Sequence, residues 1–265
     1  MTTKSRTRRL ATLVSASLLV AGTAIFSALP AQAAPGEPGP SSGKVAYAAL
    51  GDSYAAGVGG GDYADSCFRS PNSYASIIAD EPGTVHVALL GCAGATTTDV
   101  VEDQLAGLDH RTKVVTLTVG ANDLGLDAVT AACLGGQVEL CLAAIAAAQA
   151  NLGPLAVSLS QTLTAIREAA PNATVIVTGY PLLIYAPSDE IQALVNAGIA
   201  ALNDVIEATV LSAGSGFVYV DVEDDFAGHG LGSTDAWIVP PPMLGAFHPN
   251  PEGYAAYAEA ILEVL

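Results

Sequence analysis

Positive charge is scarce in this chain: nine Lys and Arg stand against 26 Asp and Glu, a formal net charge of −17. Four of the nine, Lys4, Arg6, Arg8 and Arg9, lie in the first ten residues with no acid among them, so everything after carries −21. Such a field repels phosphate backbones and anionic lipid surfaces, which excludes nucleic-acid binding through a basic patch. Tryptophan is limited to Trp237, and one indole hardly supplies the aromatic platform of a polysaccharide groove. The glycine-rich stretch Gly57-Val58-Gly59-Gly60-Gly61 lacks the Lys-Ser/Thr of a phosphate loop and the order of a dinucleotide fingerprint. No internal repeat is visible, and neither an organic cofactor nor a metal is implied. The acidic group Asp221, Glu223, Asp224 and Asp225 reads as a solvated loop in preference to a calcium site.

Cysteine is also sparing. Cys67, Cys92, Cys133 and Cys141 have spacings unlike those of a zinc knuckle, and all four follow an export-type leader. That leader spans residues 1–33, with its basic front, an apolar core over 13–29 and Ala31-Gln32-Ala33 as a cleavage signal, and it reads as a secretory signal peptide. Arg8-Arg9 leaves the twin-arginine route open beside the general one. The apolar core is short and interrupted by Ser15, Ser17, Thr23 and Ser27, which argues against a stable membrane anchor. Residues 34–44 are rich in Pro, Gly and Ser and form a flexible connection to one domain over 45–265. In the oxidising medium outside the cell, disulfides are the default. Three pairings are possible; Cys133 and Cys141 bracket a Gly135-Gly136 turn and are expected to join, leaving Cys67 for Cys92.

Apolar runs at 45–50, 85–90, 114–119, 174–178 and 217–220 read as strands buried on both faces. Helical spacing appears between and after them, at 73–80, 98–108, 142–169, 189–213 and 251–265. The alternation predicts a three-layer α/β/α sandwich around a five-stranded parallel sheet. Right-handed crossovers would bring the strand C-termini to one rim, where open α/β sheets bind ligands. The Ala-rich run at 143–150 is expected to be a helix packed closely on its neighbours.

Chemistry-bearing residues follow several of these strands. Ser53 stands in Leu50-Gly51-Asp52-Ser53-Tyr54, Gly94 in Cys92-Ala93-Gly94-Ala95-Thr96-Thr97, Asn122 in Gly120-Ala121-Asn122-Asp123, and His248 in Phe247-His248-Pro249-Asn250. Together the four blocks resemble the SGNH (GDSL) hydrolase family, in the form of secreted actinobacterial esterases and lipases. The resemblance implies a flavodoxin-like fold and a serine esterase. Ser53 would be the nucleophile and His248 the base, since a serine hydroxyl becomes reactive when a neutral imidazole takes its proton. The backbone N–H groups of Ser53 and Gly94 and the Asn122 amide would hold the oxyanion. Asp52 and Asp123 take supporting positions by the same resemblance. Of the other histidines, His86 lies in a strand pattern, His110 in a loop beside Arg111, and His229 in a Gly-rich segment.

One position departs from the family pattern. Many members place an aspartate three residues before the histidine, where this chain has Gly245. Some secreted relatives orient the ring with a backbone carbonyl, so the Gly245 C=O is the expected partner, with Asp224, Asp225 or Asp235 folding back as the alternative. Two apolar loops, 236–244 and 180–187, are expected to wall the site and suit an acyl chain. The expected protein is a monomeric, secreted ester hydrolase acting on a small-molecule or lipid ester. A non-catalytic carbohydrate- or lipid-binding protein on the same fold and an acyltransferase are the alternatives.

Overall fold

A computed structural model describes residues 45–265; the expected leader and connection at 1–44 lie outside the described residues. Five strands form one parallel sheet: β1 (Val45–Gly51), β2 (Thr84–Leu89), β3 (Val114–Thr118), β4 (Thr174–Thr178) and β5 (Phe217–Val220), in the order β2-β1-β3-β4-β5. The helices are α1 (Ser53–Ala56), α2 (Tyr74–Ala79), α3 (Thr97–Asp99), α4 (Leu126–Leu134), α5 (Val138–Ala150), α6 (Leu152–Ala169), α7 (Glu190–Ser212) and α8 (Pro251–Leu262). They flank the sheet, α2 packing beside α8 and α6 beside α7, which gives the three layers.

The strand runs become a sheet because their side chains are covered on both faces. Val115, Leu117, Val175, Ile176 and Val177 are fully buried, as a central parallel sheet requires. β2 departs from that expectation: it is an edge strand, and His86 and Val87 on it are exposed. An edge strand has a neighbour on one side only, so its apolar run cannot be covered throughout. Among the central strands, threonines are tolerated because their hydroxyls are paired. Tyr47 Oη meets Thr116 Oγ1 at 2.8 Å, and Thr118 Oγ1 meets Tyr74 Oη at 2.7 Å and Thr178 Oγ1 at 2.6 Å.

Three helix expectations change. The run at 142–169 is two helices, α5 and α6, bent by 44° at Asn151. Pro154 explains the break, because a continuous helix would set its ring against the Ala150 carbonyl and leave a hydrogen bond unmade. The run at 98–108 is α3 followed by a wide π turn (Val100–Gln104) and a 3₁₀ turn (Leu105–Gly107). The alanines of α5 are largely exposed, with Ile145 and Cys141 supplying the buried contacts, so the helix is not packed closely all round.

Candidate active site

The C-terminal end of β1 sets the position of Ser53. Gly51 adopts φ +127, and a Cβ there would come within 2.0 Å of the Thr118 carbonyl oxygen on β3, so only glycine lets the chain turn at this point. Gln104 clasps the same residue: its Oε1 accepts from the Gly51 N–H at 2.8 Å and its Nε2 donates to the Gly51 carbonyl at 2.9 Å. Asp52 then caps α1, accepting from the Tyr54 N–H at 2.9 Å through Oδ1. Its Oδ2 accepts the Tyr180 hydroxyl at 2.6 Å. Burial pushes the Asp52 carboxyl up to about 7, against the pull of those two donors.

His248 reaches the serine from the other end of the chain. Val239 and His248 pair in a short antiparallel clasp, with the Val239 N–H donating to the His248 carbonyl at 2.9 Å and the Phe247 N–H to the Val239 carbonyl at 2.9 Å. The ring's Nε2 lies 2.7 Å from Ser53 Oγ. Nδ1 lies 2.9 Å from the Ala246 carbonyl oxygen, which can only accept, so Nδ1 carries the proton and Nε2 presents its lone pair to the serine hydroxyl. Burial lowers the His248 pKa from 6.5, while the Ala246 and Gly245 carbonyls and the charge of Asp127 favour the imidazolium.

The orienting carbonyl is therefore that of Ala246, which corrects the expectation for Gly245. Gly245 sits at φ +86 in a tight turn, and its carbonyl is used to close that turn by accepting the His248 backbone N–H at 3.1 Å. The next carbonyl along is the one aimed at the ring nitrogen. Among the described residues no carboxylate bonds the ring: Asp235 instead lies 3.3 Å from Nδ1 of His229. A carbonyl fixes the tautomer as a carboxylate would, but stabilises the imidazolium less.

The three expected oxyanion donors border one cavity with Ser53 and His248. Neither the Ser53 nor the Gly94 N–H donates to a protein acceptor among the described residues. One N–H of the Asn122 amide donates to the Ala95 carbonyl at 2.9 Å, which fixes the amide plane and leaves the other N–H free of a protein partner there. Asp123 ties the two turns together by accepting from the Thr97 N–H at 3.1 Å and from the Thr97 hydroxyl. The Cys67–Cys92 disulfide joins the loop after α1 to the Gly94 turn, and Cys133–Cys141 joins α4 to α5, the expected pairing.

Sequence reading missed two contributors. Tyr54 donates its hydroxyl to the Phe247 carbonyl at 2.7 Å, linking the Ser53 turn to the histidine loop, and its ring lies 5.0 Å from the imidazole. The signal was its place directly after Ser53. The larger omission is the cavity itself, about 830 Å³, whose far wall comes from α4, α5 and α7 through residues such as Leu126, Val129, Ile145, Leu194 and Ile199. The loop at 180–187 does contribute, through Tyr180, Pro181, Leu183 and Ile184, but from 236–244 only Leu244 reaches the cavity. Trp237 faces elsewhere, stacked on His229 at 3.5 Å and edge-on to Phe226.

Residues 49–256 match the model of the GDSL-like lipase/acylhydrolase family. A lipase of Streptomyces rimosus is 36% identical over 262 residues, covering 94% of this chain and 95% of that protein. Among solved structures, an extracellular lipase of Streptomyces rimosus has a TM-score of 0.77 at 35% identity, covering 83% of this chain and 100% of that one. Phospholipase A1 of Streptomyces albidoflavus also has a TM-score of 0.77, at 29% identity, with 83% of this chain and 99% of that one covered. The fold is a three-layer α/β/α sandwich around a parallel sheet, and the chain belongs to the GDSL-like lipase/acylhydrolase family. It is a carboxylic-ester hydrolase.

Proposed function

We propose that the domain over 45–265 is a secreted lipase or esterase that cleaves carboxylic esters through an acyl-enzyme on Ser53, with His248 as general base. The observation that carries this reading is the 2.7 Å contact between Ser53 Oγ and His248 Nε2 at a cavity bordered by the Ser53 and Gly94 N–H groups and the second N–H of Asn122, none of which has a protein acceptor among the described residues. As Ser53 Oγ attacks the ester carbonyl, its proton passes to Nε2. Charge developing on the carbonyl oxygen is held by the Ser53 and Gly94 N–H groups and the Asn122 amide, each worth roughly 3–4 kcal/mol when judged by donor removal. The imidazolium then gives its proton to the leaving alcohol, and water, deprotonated by the same nitrogen, releases the acid.

The cavity supports an ester with an acyl chain. At about 830 Å³, it has the size of a small-molecule site, and leucine, isoleucine and valine side chains dominate its depth. Relatives named lipase and phospholipase A1 point the same way. Export is supported by the two disulfides and by the extracellular Streptomyces rimosus lipase. Hydrolysis of chromogenic esters across acyl lengths tests the mechanism: Ser53→Ala and His248→Ala should each lose at least about a thousandfold in turnover. Activity surviving in Ser53→Ala would end it.

A further inference from the structure

Phe68, Leu126, Leu134 and Leu244 border the catalytic cavity, yet they are 37%, 37%, 58% and 72% exposed. Side chains that both line a cavity and meet solvent stand at its mouth. They come from three separate segments: the disulfide-linked loop after α1, the two ends of α4, and the loop ahead of His248. A soluble chain gains nothing in water by gathering large apolar groups around one opening, and such gatherings mark contact surfaces. Phe68 also holds a left-handed backbone, φ 58, which an aromatic residue adopts at a cost.

Charge is segregated along the same axis. Arg111 and Lys113 lead into β3, and Arg167 donates to the Ala173 and Gly216 carbonyls just ahead of β4 and β5. Three of the four cations among the described residues therefore stand at the strand N-termini, across the sheet from the mouth. The fourth, Arg69, adjoins Phe68 but is paired with Asp65 at 3.1 Å. Two carboxylates, Asp127 and Asp189, border the cavity.

We propose that this apolar mouth docks on the surface of a zwitterionic, phosphocholine-type lipid aggregate, from which one acyl chain enters the cavity. An anionic surface would meet the carboxylates with no unpaired cation beside them among the described residues. A phosphocholine surface is neutral overall, and its outermost group is a quaternary ammonium that suits Asp127 and Asp189. The inference deepens the ester-hydrolase reading of the same site, and its test separates the two.

Docking is measured without turnover by floating Ser53→Ala protein with phosphatidylcholine vesicles. The protein should rise with the vesicles, and adding Leu134→Glu and Leu244→Glu in the same background should cut the bound fraction at least tenfold. Replacing part of the phosphatidylcholine by phosphatidylglycerol should weaken binding, with salt relieving part of the loss. Both leucines are more than half exposed, so melting temperatures should match; Leu244→Ser in the same background repeats the test with a smaller change. Protein that stays in the soluble fraction, a glutamate variant that floats as before, or tighter binding to the anionic vesicles would overturn the proposal. Turnover of a soluble short-chain ester by wild type reads the chemistry separately, so a protein that docks but cleaves nothing would sink only the hydrolase reading.

Discussion

Replacing Tyr54 with phenylalanine removes a single oxygen atom while keeping the ring that packs 5.0 Å from the His248 imidazole and edge-on to Tyr180. The lost hydroxyl is the donor to the Phe247 carbonyl at 2.7 Å. Left without a partner in a partly buried position, that carbonyl should cost about 1–2 kcal/mol of stability. For a domain of this size, the melting temperature would fall by about 2–8 °C. Phe247 itself sits at φ +67, a left-handed conformation restrained by the same bond together with its own N–H bond to Val239, and losing one of the two restraints should let it relax. His248 is the next residue, so relaxation there swings the ring off Ser53 Oγ. A tenfold fall in kcat, about 1.4 kcal/mol, with KM little changed is the expected outcome for a soluble ester. Looser packing would also readmit water to the ring, moving the acidic limb of the pH profile up toward the ordinary histidine value. Calorimetry with kcat, KM and pH profiles on one preparation decides the matter. A lowered melting temperature with kcat and the acidic limb unchanged would make Tyr54 a purely structural residue and refute this reasoning.

Other outcomes follow from the same coordinates. Because burial lowers the His248 pKa, and only the neutral ring can take the serine proton, kcat/KM should hold as pH drops through 6.5 and fail below it; a midpoint above 6.5 would contradict the buried, neutral base. Replacing Cys67 and Cys92 by serine opens a bridge spanning 25 residues, and should cost about 3 kcal/mol by denaturant unfolding. Turnover should fall with it, since the Ala93 N–H to Cys67 carbonyl bond beside Gly94 loses its tether. Gly198 on α7 borders the cavity, and a Cβ there meets no atom within 4 Å. Gly198→Leu should therefore fill part of the proposed acyl site, shift preference toward shorter esters in an acyl-length series, and leave the helix as stable or up to about 1 kcal/mol more so. An unchanged chain-length profile would move the acyl chain elsewhere.

Much of the architecture was legible in one dimension because parallel strands buried on both faces advertise themselves as unbroken apolar runs. β4 and β5 fall where the pattern put them, and the break between α5 and α6 was readable in Pro154, although the helical spacing across it concealed the bend. The edge position of β2 was not readable, since the order of strands depends on crossovers that leave no mark in the run itself. The cavity escaped for a similar reason: Leu194 and Ile199 on α7 carry the same spacing whether they face a filled core or an empty space.

Local composition determined which side chains had the chemistry, because a serine after Gly51-Asp52, a histidine before Pro249-Asn250 and paired cysteines are properties of short segments. It also determined that an acidic side chain would be missing three residues before the histidine. Tertiary structure alone decided that the Ala246 carbonyl and not that of Gly245 accepts the hydrogen bond from the ring Nδ1–H. The direction of a carbonyl in a turn follows from backbone angles and from which other bonds the turn must close. The same level of organisation decided that residues 195 positions apart in the chain meet at 2.7 Å, since only packing brings a strand end and a distant loop into contact.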